Sequence, residues 1–230
     1  AIGEAVTDLI DKGKVFVANM LSVPELSITY KKSYFLGPND QRLSLLDVAE
    51  AMASSNNLAS EQKVNFEGIG DITNRVGGYP YGSHACEVEV DPETGVVEIV
   101  SWSGVDDVGL AVNPLILHGQ AHGAITQGIG QALLENMNYD SKNAQLLSGS
   151  FMDYAMPRAN NIPLMETIIT ENPASSHPYG IRPGGEGGTT PALGLIINAI
   201  VDALSIYGVR HIEMPATPER VWRAIHDNTN

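Results

Sequence analysis

The stretch Gly180–Ala192 reads GIRPGGEGGTTPA and runs directly into an apolar segment. Four of the five residues from Gly184 to Gly188 are glycine, and the remaining one is Glu186. Glycine permits positive φ angles and removes the side chains that keep backbone N–H groups away from a ligand. The glycine run therefore predicts a loop that presents one carboxylate, that of Glu186, beside accessible backbone amides.

The segment behind this loop has the pattern of an apolar helix. Thr189 or Thr190 is a candidate N-cap, Pro191 suits the first turn, and Leu193–Leu204 supplies the apolar face. N–H groups at a helix start carry partial positive charge, which favours a bound anion and an ionised Glu186. The alternative is an ordinary glycine-rich connection with a solvated glutamate. A nucleotide-phosphate loop is disfavoured, because no Lys-Ser/Thr pair follows the glycines.

Composition excludes several classes of protein. Thirteen basic and 27 acidic residues give a formal charge of −14, which argues against nucleic acid or an anionic membrane surface as partner. No apolar run reaches the roughly 20 residues of a membrane span, and the N-terminus lacks the pattern of a signal peptide, so we expect a cytoplasmic protein. Cys86 is the only cysteine, so this chain can form neither an internal disulfide nor a Cys-ligated iron–sulfur cluster.

The first third of the chain predicts two helices and a strand. Residues Ile2–Leu21 are helical in pattern, Ser27–Phe35 alternates as a strand does, and Ser44 caps a short helix that reaches Met52. Residues 53–81 are polar and rich in glycine, which predicts little regular structure and a possible boundary within an otherwise undivided chain.

The rest of the chain predicts a β-hairpin followed by helices and one further strand. Residues 85–90 and 96–105 alternate in strand fashion about the turn Asp91–Gly95. Asn113 is a plausible cap for a helix that extends to about Leu134. The later elements predicted are a strand at Met165–Thr170, a helix at Pro191–Tyr207 and a last helix that begins at Thr217–Glu219.

The predicted helix before Leu134 carries glycine, glutamine and histidine. Each interior glycine costs roughly 1 kcal/mol relative to alanine, so close packing must hold this helix. His118 and His122 are four residues apart and share one face, which is one half of a zinc-binding pattern. The Glu that follows the first His in a zinc protease is replaced by Gly119, so polar histidines at a packed interface are the favoured interpretation and no metal ligand is assigned.

Four motifs occur in a characteristic order. They are GQAHGAITQGIG at 119–130, GSFMDY at 149–154, the loop around Glu186, and HIEMPATPERVW at 211–222. In this order they resemble the C-terminal part of the molybdopterin-binding subunit of molybdenum hydroxylases, the family of xanthine dehydrogenase, aldehyde oxidase and aerobic carbon monoxide dehydrogenase. The resemblance extends over nearly the whole chain and is strongest from about Gly82 to Ile225.

The resemblance implies a site and a reaction. Glu186 matches the general base beside a molybdenum–pterin cofactor, in its molybdopterin or cytosine dinucleotide form, and Gln127, Arg182, Gly184 and Gly185 match positions that contact that cofactor. The implied activity is hydroxylation of an aldehyde or N-heteroaromatic carbon with oxygen from water. Pro183 departs from the small residue usual in the family and removes one N–H donor.

The resemblance also implies partners and a fold. The family's cofactor-binding region is several times longer than this chain, so we expect residues 1–230 to be the C-terminal segment of a larger or split subunit, inactive without the rest. Iron–sulfur clusters and FAD would lie on partner chains or domains. The expected fold is α+β, with mixed sheets flanked by helices. Two alternatives stay open: a carbon monoxide dehydrogenase-type subunit and a non-catalytic assembly module.

Overall fold

The computed structural model describes residues 1–55, 66–71, 73 and 78–228. The chain divides into two compact units, Ala1–Arg75 and Val76–Asn230. This division falls inside the stretch 53–81, where the sequence analysis placed a possible boundary. The whole stretch was predicted to have little regular structure; residues 53–55 instead belong to helix α2, and residues 56–65, 72 and 74–77 lie outside the described residues.

Within its described residues, the first unit contains two helices and a small antiparallel sheet. Helix α1 (Ile2–Leu21) is as predicted, and helix α2 (Leu45–Ser55) begins at a reciprocal pair in which Ser44 Oγ accepts from Asp47 N and Asp47 Oδ2 accepts from Ser44 N, both at 3.0 Å. The sheet has the order β1 (Thr29–Lys31), β2 (Tyr34–Leu36), β3 (Arg42–Ser44).

The prediction of one strand over Ser27–Phe35 is wrong, because the chain reverses within it. Strands β1 and β2 pair antiparallel about Lys32 and Ser33, whose φ angles are 49° and 64°. Tight hairpin turns need positive φ at both central residues and usually signal themselves with glycine or asparagine. Lys-Ser carries no such signal, so the alternating pattern reads as one uninterrupted strand.

The core of the first unit explains the glycine in the middle of α1. A Cβ at Gly13 would lie 2.3 Å from Cζ of Phe35, whose side chain is fully buried. The absent side chain therefore makes room for the aromatic ring that fills this core. The other buried residues of the cluster are aliphatic or Met: Val17, Ala18, Ile28, Val48 and Met52.

The second unit is built on a three-stranded mixed sheet of order β4-β5-β6. Strands β4 (Tyr81–Val90) and β5 (Val97–Asp107) form the predicted hairpin, with a register shift at Glu87/Val88. Strand β6 (Met165–Thr170) is as predicted and pairs parallel to β5. The helices together with the two sheets, one antiparallel and one mixed, give the expected α+β class.

Three α-helices accompany this sheet in the described part of the second unit. Helix α3 (Pro114–Leu133) begins at Asn113, whose Oδ1 accepts from Ile116 N at 3.3 Å, as the sequence predicts. Helix α4 (Thr189–Ala203) packs on α3 and on β4, and helix α5 (Pro218–Asn228) follows. The largest side chain of the shared core is Trp102 on β5.

Helix α4 is the most apolar long segment among the described helices. With the 3₁₀ turn that follows, it spans Thr189–Tyr207, 19 residues of mean hydropathy 1.5, which by length and composition alone is enough to cross a membrane. Core helices of soluble proteins can have the same length and hydropathy. The stripe Ala192, Ile196, Ile200 and Leu204 is at most 1% exposed and packs within the core, whereas only 22% of the apolar window as a whole is buried.

Candidate active site

The loop that carries Glu186 is fastened to the end of β5. Arg182 N donates to Val108 O at 2.7 Å, and Leu110 N donates to Gly180 O at 2.9 Å. Gly109 and Gly180 have φ angles of 65° and 67°, which side chains rarely allow. These two glycines let the chain turn sharply on both sides of the contact, and the loop starts from a defined position.

A buried ion pair reinforces this attachment. Asp107 is only 3% exposed, and its Oδ1 lies 3.3 Å from Arg182 Nε, although the geometry does not satisfy a hydrogen bond. Gly109 N donates to Asp107 Oδ1 at 2.9 Å, and Thr170 Oγ1 and Asn172 Nδ2 donate to Oδ2. Burial raises the pKa of Asp107, but these donors and the guanidinium outweigh it, so the net pKa is lowered.

The start of α4 differs from the prediction. The N-cap is Gly188, with no side-chain cap, and Thr189 is already helical. Thr189 Oγ1 instead donates to Ala124 O of α3 at 3.0 Å. Thr189 N and Thr190 N donate to Glu186 O at 3.2 and 3.5 Å, so these first-turn amides are used within the turn. Capping by either threonine was therefore a wrong prediction.

Contact with α3 decides where this turn lies. A Cβ at Gly188 would lie 2.8 Å from Ile125 Cγ1 and 2.9 Å from Ala121 O, and one at Gly128 would lie 2.5 Å from Ala192 Cβ. Glycine at both positions lets the start of α4 approach the middle of α3 closely. The loop residues just before Gly188 are thereby held against the polar face of α3.

An open cleft of about 400 Å³ lies at this junction. Glu186 is exposed and lines it, together with Gln127 and Gly185. These three residues are predicted site residues, and the structure brings them together. The remaining lining residues come from one face of α3 and from the start of α4: Gln120, Gly123, Ala124, Thr189 and Thr190.

The groups in the cleft suit a polar, oxygen-rich ligand. Among the described residues, no hydrogen bond engages the N–H group of Gly185 or the side-chain amides of Gln120 and Gln127, and all three residues line the cleft. These donors can bind phosphate, carbonyl or oxo oxygens without first breaking a protein contact. The residues present therefore fit an oxygen-rich cofactor.

The cleft also has room along α3. A Cβ at Gly123 would meet no atom within 4 Å, and one at Gly185 would meet Gln120 Nε2 no closer than 3.8 Å. The space beside these two glycines is not occupied by other protein atoms. A flat or bulky ligand can thus approach the backbone of both the helix and the loop.

Two predicted cofactor contacts lie apart from this cleft. Arg182 extends toward Asp107, and its guanidinium lies 4.9 Å above the ring of Tyr81. The Cβ position of Gly184 faces Leu117 Cδ2 at 3.0 Å and Val108 Cγ1 at 3.5 Å, and Gly184 does not line the cleft. A role for these two residues toward the cofactor stays a prediction.

Beneath the loop lies a polar chain that sequence reasoning missed. The His84 side chain is 1% exposed, its Nδ1 accepts from Trp102 Nε1 at 3.2 Å, and its Nε2 lies 3.1 Å from Asp106 Oδ1. Because Nδ1 accepts, the proton of the neutral ring is on Nε2 and is donated to Asp106. A Cβ at Gly187 would lie 3.2 Å from Asp106 Oδ1, so the glycine run lies directly on this carboxylate.

The paired histidines of α3 contact strand β6. His118 Nδ1 lies 2.8 Å and His122 Nε2 3.1 Å from Oγ1 of Thr167. One hydroxyl can donate to one ring and accept from the other. Both histidines therefore have a polar partner, as the sequence analysis favoured, and in the described part of the chain no cluster of three His, Cys, Asp or Glu side chains is suited to hold a metal ion.

Comparison with known proteins identifies the family. A family model described as a molybdopterin cofactor-binding domain matches residues 1–163. The nicotine 6-hydroxylase large subunit of Paenarthrobacter nicotinovorans is 35% identical over 212 residues, which cover 90% of this chain and 26% of that subunit. The carbon monoxide dehydrogenase large chain of Hydrogenophaga pseudoflava is 30% identical over 230 residues, which cover 99% of this chain and 28% of that relative.

A solved structure agrees with these relatives. Quinoline 2-oxidoreductase from Pseudomonas putida 86 matches with a TM-score of 0.79 and 28% sequence identity, over 99% of this chain and 29% of that chain. The chain thus spans less than a third of the length of the proteins it matches. This chain belongs to the molybdopterin-binding large-subunit family of the molybdenum hydroxylases.

Proposed function

We propose that this chain forms part of a cytoplasmic molybdenum hydroxylase and that Glu186 is its general base. The observation that carries the proposal is the shared cleft of Glu186, Gln127 and Gly185, in which a carboxylate lies among unengaged hydrogen-bond donors. A scaffold protein needs no such carboxylate. The rest of the subunit would supply the opposite wall of the cleft.

The residues of this chain would act in two ways. Gln127 and the N–H groups of Gly184 and Gly185 would hold oxygens of the molybdenum–pterin cofactor, and Arg182 would support this loop from its base. The cofactor, when bound, supplies the oxygen-transfer chemistry and takes up two electrons. A Glu186 carboxylate oxygen would accept the proton released from the water-derived oxygen, as a general base within hydrogen-bond reach does.

The overall reaction needs electron acceptors outside this chain. Hydroxylation of a C–H group by water releases two protons and two electrons. The only cysteine, Cys86, lies half-buried on β4, where burial raises the pKa of the thiol to about 11. We therefore place the iron–sulfur clusters and FAD that carry the electrons onward on partner chains or domains, as the single cysteine requires.

An N-heteroaromatic substrate is the favoured choice. Two of the similar proteins are named for nicotine and quinoline, which both contain an aromatic ring with nitrogen. The similarity to a carbon monoxide dehydrogenase large chain supports carbon monoxide as the second candidate. Assays of the assembled complex with N-heteroaromatic compounds, aldehydes and carbon monoxide discriminate among these substrates.

Replacement of Glu186 by Gln tests the proposal in the assembled complex. The amide keeps the shape of the side chain but cannot accept the proton, so hydroxylation should fall by about 10²–10⁴-fold, the usual contribution of a general base. Molybdenum content should stay at the wild-type stoichiometry by metal analysis. Glu166→Gln, on the exposed face of β6, is the matched control and should leave the rate unchanged.

Two outcomes contradict the assignment. A Glu186→Gln complex that hydroxylates at nearly the wild-type rate removes the general base role. A stable complex that contains this chain but no molybdenum supports the assembly module instead.

A further inference from the structure

The segment between α3 and β6 exposes a compact set of apolar side chains. Phe151 is 86% exposed and Met152 is 93% exposed. Met137, Leu147 and Met156 are each at least half exposed nearby in the chain, and we call these five residues the 137–156 patch. Two of them, Met137 and Phe151, line one hollow, and exposed apolar surface of this kind typically marks an interaction site. The motif GSFMDY, singled out by the resemblance, lies in this segment and has no role in the cleft.

The patch is held in a defined shape by hydrogen bonds. Ser150 Oγ donates to Asp153 Oδ2 at 2.5 Å, and Tyr154 N donates to Ser150 O at 2.9 Å. Tyr154 Oη donates to Glu135 Oε2 at 2.6 Å, which ties the turn to the end of α3. These contacts present Phe151 outward on a fixed turn. Because the turn is already formed, a partner that binds it pays little ordering entropy.

A hollow of about 380 Å³ lies beside the protruding ring. Phe151, Met137, Leu146 and Tyr154 line it, so a projecting side chain and a recess occur side by side. Interfaces with well-packed centres commonly consist of such an aromatic anchor next to a recess that accepts a partner's side chain. The chemistry of the surface therefore fits an apolar polypeptide segment.

The patch is joined to the cleft through α3. A Cβ at Gly130 would lie 2.3 Å from Glu135 Oε1 and 2.8 Å from Pro157 Cδ, so this glycine lets the segment pack closely on the helix. Gln127, which lines the cleft, is three residues earlier and so lies on a neighbouring face within one turn. A polypeptide that closes the cleft is therefore well placed to cover the patch.

We propose that the 137–156 patch is the docking surface for the remainder of the molybdopterin subunit, the part of the relatives that lies outside the matched region. This inference rests on the proposed function. Proteins that match this chain are more than three times as long, because it covers only 26–29% of them. A second copy of this chain is a poorer occupant, because each copy carries a formal charge of −14 and the two repel.

Site-specific photo-crosslinking in the assembled complex tests this surface. Phe151 is replaced by p-benzoylphenylalanine, which is aromatic and suits an exposed position, and crosslinked peptides are identified by mass spectrometry after irradiation. We expect crosslinks to peptides homologous to the part of the relatives' large subunits outside the matched region, whether these belong to the same polypeptide or to another chain. Lys142, exposed on the neighbouring turn, carries the same crosslinker as the control and should give a severalfold lower yield.

The other outcomes overturn the inference. Crosslinks to a second copy of this chain, or to iron–sulfur or flavin subunits, would assign the patch to a different partner. A yield at Phe151 no higher than at Lys142 would show that nothing covers the patch. Crosslinking reports contact and not turnover, so the result is independent of the Glu186→Gln experiment.

Discussion

Two glycines of α3, five residues apart, have opposite surroundings. At Gly128 a Cβ would lie 2.5 Å from Ala192 Cβ and 3.0 Å from Thr189 O, whereas at Gly123 it would meet nothing within 4 Å. The first glycine brings α4 into contact with α3. The second lies in the cleft beside Gln127. The same residue type therefore serves packing at one position and leaves room for a ligand at the other.

The glycine run shows the same contrast over a shorter distance. Gly188 is buried against Ile125 and Ala121, while Gly185 faces the open cleft. One side of the loop is therefore fixed by neighbours, and the other side is free to bind. Glu186 lies between these two glycines, which explains how a glycine-rich loop can hold a carboxylate in a defined place.

The largest effect on stability is expected on the fixed side, at Asp107. Asp107→Asn removes the charge that pairs with Arg182. The new amide nitrogen is a donor, so it faces either the donors of Asn172 and Thr170 or that of Gly109 without an acceptor. Disruption of a buried pair costs about 3 kcal/mol, which urea unfolding of the chain can measure. Asp202→Asn, at an exposed position of α4, is the control and should change the free energy of unfolding little.

The same substitution has a predictable pH dependence. The pKa of Asp107 is lowered in the folded state, so its contribution is fully present above the unfolded value of about 3.9 and is lost as the pH falls through the folded pKa. The unfolding free energies of wild type and Asp107→Asn should therefore converge as the pH falls below about 4. A gap that stayed constant down to acid pH would show that the charge of Asp107 is not its source.

The next effect is expected at the packing glycine of α3. Gly128→Ala gains helix propensity of about 1 kcal/mol but forces α3 and α4 apart, and overpacking typically costs about 1–3 kcal/mol. We expect a net destabilisation of about 1 kcal/mol, measured as a shift of the urea midpoint without a change of slope. An increase in stability would mean that the helices separate easily and that Gly128 is not needed for their contact.

The sequence allowed the regular elements to be predicted because their signals are local. Asn113 caps α3, the alternation about Asp91–Gly95 specifies the β4–β5 hairpin, and Ser44 begins α2. In each case the residues that determine the structure are neighbours in the chain. The hairpin at Lys32 and Ser33 was missed because its turn lacks glycine and asparagine.

The site could be predicted only in part because its supports come from distant parts of the chain. Glu186, Gln127 and Gly185 were identified from the glycine run and the resemblance, and they share the cleft. The pairing of Asp107 with Arg182 spans 75 positions, which no local pattern reveals. Thr189 was expected to cap its own helix but donates to Ala124, 65 positions away, because α3 offers an acceptor there.

The smallest effect on stability, and the sharpest test of the comparison, is expected at Gly123. Gly123→Ala should stabilise the chain by up to about 1 kcal/mol, because the helix gains propensity and the new methyl group meets no neighbour. The same methyl group lies in the cleft, so the molybdenum and pterin content of the assembled complex should fall. Metal analysis of complexes purified in parallel measures the second effect, with Gly194→Ala in α4, which also meets no atom within 4 Å, as the control.

Gly194→Ala should stabilise the chain through the same propensity and leave the cofactor content unchanged, because Gly194 does not line the cleft. A Gly123→Ala complex that is both more stable and fully loaded would show that the cofactor does not approach this face of α3. The open space beside Gly123 would then have no connection with cofactor binding, and the distinction between the packing glycine Gly128 and the site glycine Gly123 would be wrong.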